Sequence, residues 1–220
     1  MTPGYIAPEV AEIRALHPYA ASSEFLDLPI VEQISAQADT VLKAHQAGDV
    51  RIGMQVMCWW PAASGQELDA VMASDFGVDD ARLTISREYG YPDWTAVLAL
   101  GGLVPDPLFE RALEAMLRGH LEEVISLIDE MPELTTQRSR YGHRATLLHY
   151  LAANGVESIR QRVPLNAVDL AKGLLSRGAS KSAKADMYGG GQTPFALAST
   201  SAHPKNAGIA DLLNRVLKPD

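Results

Sequence analysis

The stretch RYGHRATLLHYLAANG, residues 140–155, places His149 three residues after Thr146 inside an apolar run. An imidazole there could serve as a general base, but it would need a nucleophile and an orienting group within reach. The chain has no Gly-x-Ser-x-Gly elbow and no second His four residues on. His143 lies six residues away, which does not bring both rings to one helical face. The six histidines (17, 45, 120, 143, 149 and 203) are scattered without ligand spacing, and Cys58 is the single cysteine, so no metal and no other cofactor is expected. Gly189-Gly190-Gly191 resembles a phosphate loop only superficially. No Gly-Lys-Ser/Thr follows it, and Thr193-Pro194 opens a helix instead, so it reads as a hairpin tip. Cys58, beside Trp59 and Trp60, reads as a core residue with no cation or helix start to activate its thiol. Glu122-Glu123 and Asp79-Asp80 are adjacent pairs; neighbours on a helix diverge, so neither makes a carboxylate dyad.

The bulk numbers narrow the class further. The 220 residues suffice for one large domain or two small ones. Hydrophobic residues make up 47%, enough for a folded core, and the abundance of Ala and Leu with only 6% aromatics leans towards helix. One cysteine rules out a disulfide within the chain and fits a reducing compartment, so a cytoplasmic location is expected. The first twenty residues lack the basic start and apolar centre of a signal peptide, and no apolar run is long enough to span a membrane. Net charge is −8, unevenly placed: residues 1–104 hold 5 Lys+Arg against 14 Asp+Glu, a balance of −9, and residues 105–220 hold 14 against 13. Neither half is basic enough for a nucleic-acid footprint, so neither nucleic acid nor membrane is an expected partner.

The elements that must position these groups read as helices. Residues 1–29, with Pro at 3, 8, 18 and 29, read as irregular. VEQISAQADTVLKAHQAGD puts Val31, Ile34, Ala38, Val41, Leu42 and His45 on one face, with Gly48 as C-terminal cap. RIGMQVMCWWP, ambiguous between strand and helix, is assigned helix from its surroundings. Short helices are expected at 67–73, within DDARLTISREYG before Gly90, and after Asp93 as N-cap. Asp106 caps and Pro107 starts the clearest pattern, a hairpin of two helices broken at Gly119 and stopped by Pro132. Leu108, Phe109, Ala112, Leu113, Met116 and Leu117 form the stripe of the first. Leu121, Val124, Ile125 and Ile128 form that of the second.

The chain then repeats itself. TLLHYLA from Thr146 aligns with TPFALAS from Thr193; each follows a turn that starts Tyr-Gly, at Tyr141 and Tyr188. Each precedes a second amphipathic helix. In the first unit Val168, Ala171, Leu174 and Leu175 share a side before Gly178; in the second Ile209, Leu212, Leu213 and Val216 do so. Asp211, Asn214, Arg215 and Lys218 lie opposite and would let the chain end in water.

On these residues the chain resembles the ankyrin repeat family. The T-P-L-H-x-A pattern and the closing Leu-Leu-x-x-Gly-Ala are matched by Thr146, Leu148, His149, Leu174, Leu175, Gly178 and Ala179, then by Thr193, Pro194 and Ala198. The resemblance covers residues 106–220. The spacing departs from it, since Thr146 and Thr193 are 47 residues apart against about 33 for an ordinary repeat. The surplus falls in VESIRQRVPLNA, an inserted loop or a lengthened helix. Ala196 stands where the second unit would carry the His. The N-terminal half resembles segments that precede ankyrin units in a group of bacterial proteins, which brings no mechanism with it.

The fold expected is all-α: residues 1–104 as an N-terminal helical subdomain packed against residues 105–220, a short irregular ankyrin-like α-solenoid. It would comprise a degenerate unit at 106–135 and units at 137–180 and 186–218. Fewer than about three repeats rarely fold alone, so the N-terminal helices are the expected cover for the open side. His149 is expected to knit units together rather than catalyse. The resemblance implies a non-catalytic protein-interaction module that binds through its hairpin tips: Arg138, Arg140, Tyr141, His143 and Arg144 in one finger, Met187, Tyr188 and Gln192 in the next. Arg and Tyr dominate interface energies. Two alternatives stand beside it. One is an enzyme with its site at the junction of the halves, using the acidic surface with His120 or His143. The other is an inhibitor or immunity-type protein for a basic partner.

Overall fold

The computed structural model describes residues 4–20 and 22–219, so Pro3 lies outside the described residues. Among these, 58% of the chain is helix and 4% strand, which puts it in the all-α class. The described chain divides into two compact units. One holds residues 8–105 with 157–159, and the other holds residues 4–7, 106–156 and 160–219.

The first unit contains α1 (Pro8–Leu16), α2 (Ser23–Leu26), α3 (Ile30–Gln46), α4 (Gly53–Trp59), α5 (Leu68–Met72), α6 (Val78–Glu88) and α7 (Trp94–Leu98). The described part of residues 1–29 is therefore not irregular: Pro8 sits at the first helical position, where its missing N–H costs nothing, and the Ser22 hydroxyl caps α2 by accepting from Phe25 N. The segment of uncertain type is α4, and Asp93 caps α7 through Ala96 N at 2.9 Å. Gly48 and Gly90 take φ of +67° and +83° just past α3 and α6, which an L side chain would resist. α3 packs against α6 and buries Ile34, Ala38 and Val41 as its periodicity predicts.

The sequence pattern missed the polar part of this interior. Gln33, Gln37, Gln55 and Glu88 are buried. Gln55 Nε2 donates to Glu88 Oε2 at 2.8 Å, Ser158 N donates to Glu88 Oε1 at 2.7 Å, and Gln37 Nε2 donates to the Tyr89 hydroxyl at 2.5 Å. Burial pushes the Glu88 carboxyl above the ordinary carboxylate range, against the pull of the Ser158 and Gln55 donors. Residues 157–159 belong here also through Ile159, which packs with Ile13, Ala20 and Phe25 and accepts a hydrogen bond from Arg14. Cys58 is exposed, not core. Its thiol pKa is pushed up by desolvation and by the negative charge of Glu88, the reverse of what a reactive thiolate requires.

The second unit contains β1 (Gly4–Ile6), α8 (Pro107–Leu117), α9 (Leu121–Glu130), α10 (Leu147–Tyr150), β2 (Arg162–Pro164), α11 (Ala167–Leu175), α12 (Pro194–Thr200), α13 (Ala202–Asn206) and α14 (Ala210–Leu217). Asp106 Oδ1 accepts from Leu108 N and Phe109 N, both at 3.1 Å, with Pro107 at the first helical position. Gly119, at φ +78°, turns α8 into α9. α8 packs on α9 and on α10, α10 on α12, α9 on α11, and α11 and α12 on α14. One apolar cluster runs through these helices, from Phe109 and Met116 by way of Leu148 and Leu174 to Leu213 and Leu217. Leu212 departs from its expected stripe and is exposed, since the buried line of α14 runs through Leu213 and Leu217; α13 is a helix the sequence did not signal.

The surplus residues inside the first unit hold one short 3-10 turn, Ser158–Arg160, and a three-residue strand rather than a longer helix. β2 pairs antiparallel with β1, in the register Tyr5 opposite Val163, so residues 4–7 belong with this unit and not with the N-terminal helices. Two residues earlier, Arg160 is buried and pairs with Glu110 at 2.6 Å, its guanidinium 5.7 Å from the Tyr141 ring centre. Both side chains of the pair are 4% exposed. Removing one charge strands the other in a low dielectric, which typically costs about 3–5 kcal/mol. Arg160→Met should therefore lower the unfolding free energy by about 3 kcal/mol or more, and the double variant Arg160→Met/Glu110→Leu should recover most of that loss. Urea unfolding followed by circular dichroism measures both; a single variant within about 1 kcal/mol of wild type would contradict the account.

Candidate functional site

Two hairpin fingers precede α10 and α12. The first is closed by Ser139 N donating to Ala145 O at 2.7 Å and by Arg144 N donating to Tyr141 O at 3.0 Å. The second is closed by a bridge between Ala185 and Gln192, with N–O distances of 2.8 and 3.1 Å. Its tip runs through Gly189, Gly190 and Gly191 at φ of +90°, +94° and +74°, three successive left-handed residues that only glycine adopts cheaply. A main-chain bond joins the fingers, Asp186 N to His143 O at 2.7 Å.

His149 holds this arrangement from beneath. Its ring is fully buried. Nε2 lies 3.1 Å from both Ala183 O and Gln192 O; carbonyls only accept, so Nε2 carries the hydrogen. Nδ1 is then the acceptor, 3.1 Å from Thr146 N and 2.8 Å from Thr146 Oγ1. One neutral imidazole thus ties the start of α10 to both limbs of the next finger. Burial holds its pKa down to about 4; the two carbonyls oppose this, and the positive charge of Arg138 adds to it.

The eight residues expected at the finger surface do not all reach it. Tyr141, His143 and Met187 are buried, at 1%, 0% and 3% exposure. The Tyr141 ring lies 6.1 Å from His143 and against Arg160; His143 Nδ1 accepts from Ala145 N at 3.1 Å; Met187 packs into the apolar cluster. These three build the fingers and are not available to a partner. Arg144 is exposed, Tyr188 is 60% exposed, and Arg138, Arg140 and Gln192 are half-buried. Arg140 pairs with Asp106 at 3.3 Å. Arg138 Nη1 donates to Arg144 O at 2.8 Å and also to Lys184 O. The Tyr188 hydroxyl donates to Asn154 Oδ1 at 2.7 Å, and Asn154 Nδ2 reaches Leu197 O and Thr200 Oγ1, both at 3.2 Å. A Cβ on Gly155 would meet Tyr188 Cε2 at 3.0 Å, so the ring lies directly over that glycine. The Asn154-Gly155 dipeptide is the sequence feature that carries this support.

Two surface residues sit on strained backbone. Arg144 has φ +55° and Tyr188 has φ +50°, a region that costs an L side chain about 1–2 kcal/mol. Arg144 lies two residues before Thr146, and the matching position before Thr193 is Gly191. His120, the other histidine considered for chemistry, is half-exposed at the start of α9, with Nδ1 3.5 Å from the Glu123 carboxylate. Among the described residues, no three His, Cys, Asp or Glu side chains gather as a metal site would need. No helix among them is long and apolar enough to cross a membrane. Comparison with protein-family models, with curated proteins and with solved structures finds no match to this chain.

The His149 geometry sets a pH dependence. Its folded pKa, about 4, lies below the ordinary 6.5, so the unfolded chain binds the proton more readily. The contribution is complete above pH 6.5 and is lost as pH falls through 4, about 3 kcal/mol in all. Urea unfolding at pH 7 and pH 4.5 should show this loss, and His149→Gln should remove much of the slope between them. A His149 ring that titrates near 6.5 by NMR in the folded protein would overturn the assignment.

Proposed function

We propose that this protein is a non-catalytic protein-interaction module, a short ankyrin-like solenoid whose two fingers present the binding face. The observation that carries the reading is the bonding of His149. A Thr-capped helix start, its buried neutral His and two carbonyls of the next finger form one connected motif, as the resemblance implies for a histidine that knits repeats. The packing of α8 on α9 and α10, of α9 on α11, of α10 on α12, and of α11 and α12 on α14 supports the solenoid part of the reading. The partner side rests on Tyr188. A large aromatic is held by Asn154 and Gly155 yet stays mostly in solvent, so little ordering remains to be done on association. A face of two fingers is small, near or below the low end of about 1,200 Å² for stable complexes.

Site-directed photocrosslinking tests this in cells of the source organism. A benzophenone amino acid in place of Tyr188 should yield a discrete crosslinked protein. The same group in place of Asp169, on α11 with its side chain 63% exposed, should not. The same products at both positions, or none at 188, would reject the reading.

A further inference from the structure

The base of the two fingers gathers three cations. Arg138 Nη1 is fixed by the Arg144 and Lys184 carbonyls, so the three residues meet at one guanidinium. Among the described residues, none of the three side chains has a carboxylate within ion-pair distance; Asp106 is engaged by Arg140. With Nη1 tied down, Arg138 keeps its Nε and Nη2 edge, the fork that binds a carboxylate in two parallel hydrogen bonds. Arg144 and Lys184, whose main-chain carbonyls hold that guanidinium, are themselves exposed, with Asp186 the acidic residue nearest in sequence. Arg144 stands on left-handed backbone where the next unit has Gly191, so a long cationic side chain occupies a position that favours glycine.

We propose that this cluster receives an acidic peptide segment of a partner protein. The Arg138 fork would clamp one carboxylate, Arg144 and Lys184 its neighbours, and Tyr188 would offer an aromatic face further along the second finger. The proposal rests on the reading of the fingers as a protein-binding face. The occupant follows from charge complementarity and from spacing: the cations come from two successive fingers, which suits an extended chain laid across both. A nucleic acid fits poorly, because three cations on a chain of net charge −8 give no continuous basic surface.

The test is fluorescence anisotropy with the full chain and a fluorescein-labelled peptide of alternating Glu and Ala. Binding should weaken between about 50 mM and about 300 mM salt, and the Gln-Ala counterpart should not bind. Arg144→Ala and Lys184→Ala, both exposed, should each weaken binding by about three- to fivefold. Arg138→Lys, which keeps the charge and loses the fork, should weaken it by about tenfold. An unchanged affinity in the Arg144→Ala/Lys184→Ala double variant, or no binding by wild type, overturns the proposal. So does tighter binding of a charge-matched phosphoserine peptide or a single-stranded oligonucleotide. If the crosslink at position 188 is found and the acidic peptide does not bind, this inference alone fails; if both are absent, the reading of the fingers fails with it.

Discussion

The C-terminal unit depends on an imidazole that must stay neutral. His149 offers one donor and one acceptor on opposite edges of a rigid ring, and the backbone around it supplies the complementary set: an amide N–H on one side, two carbonyls on the other. No other side chain presents that pair at that separation without carrying charge into the interior. Asn or Gln is too flexible to span it, and Lys or Arg would bring an uncompensated cation where even Arg138 lies close enough to lower the ring's pKa. The fingers inherit their order from this ring, because both limbs of the second one hang on it. The Asp186–His143 main-chain bond then fixes the spacing between the fingers.

The second constraint is the buried Arg160–Glu110 pair, and it gives the long spacing of the repeats a purpose. Sixteen residues, 151–166, separate the two helices of this unit. The chain uses them to deliver a guanidinium beneath Tyr141 and to form a strand that β1 completes. The pair is buried on both sides, and the same guanidinium lies near the Tyr141 ring of the first finger, so losing either charge leaves the other without compensation there.

Much of the helical skeleton was legible because local physics dictates it. Asp106-Pro107, Gly119, Asp93 and Gly48 mark helix ends through hydrogen bonds and φ values that depend on a few neighbouring residues. Exposure at the fingers was not legible, because it depends on partners far away in sequence. Tyr141 and Tyr188 stand five residues before their respective threonines, yet one is buried and the other mostly exposed. The difference is the surroundings: Tyr141 meets Arg160 and His143, whereas Tyr188 lies over Gly155 and stays 60% exposed. Gln33, Gln37 and Glu88 escaped for a related reason. Periodicity assigns polar residues to solvent, and only the fold shows the Leu28 carbonyl waiting for Gln33, Tyr89 for Gln37, and Gln55 and Ser158 for Glu88.

Positive φ at Arg144 and Tyr188 connects structure to purpose more directly than exposure does. Surface charge and surface aromatics are common, and alone they argue little. A non-glycine residue on left-handed backbone is different, since glycine would relieve the strain at once and the second finger has three glycines in a row. The fingers thus carry strain at two side chains that add nothing to the core, on a scaffold rigid enough to sustain it: Arg138 braces one and Asn154 the other. The buried Ala153 takes the same backbone region, so the strain is not peculiar to the surface; at Arg144 and Tyr188 it falls on the side chains that the proposed binding face would use.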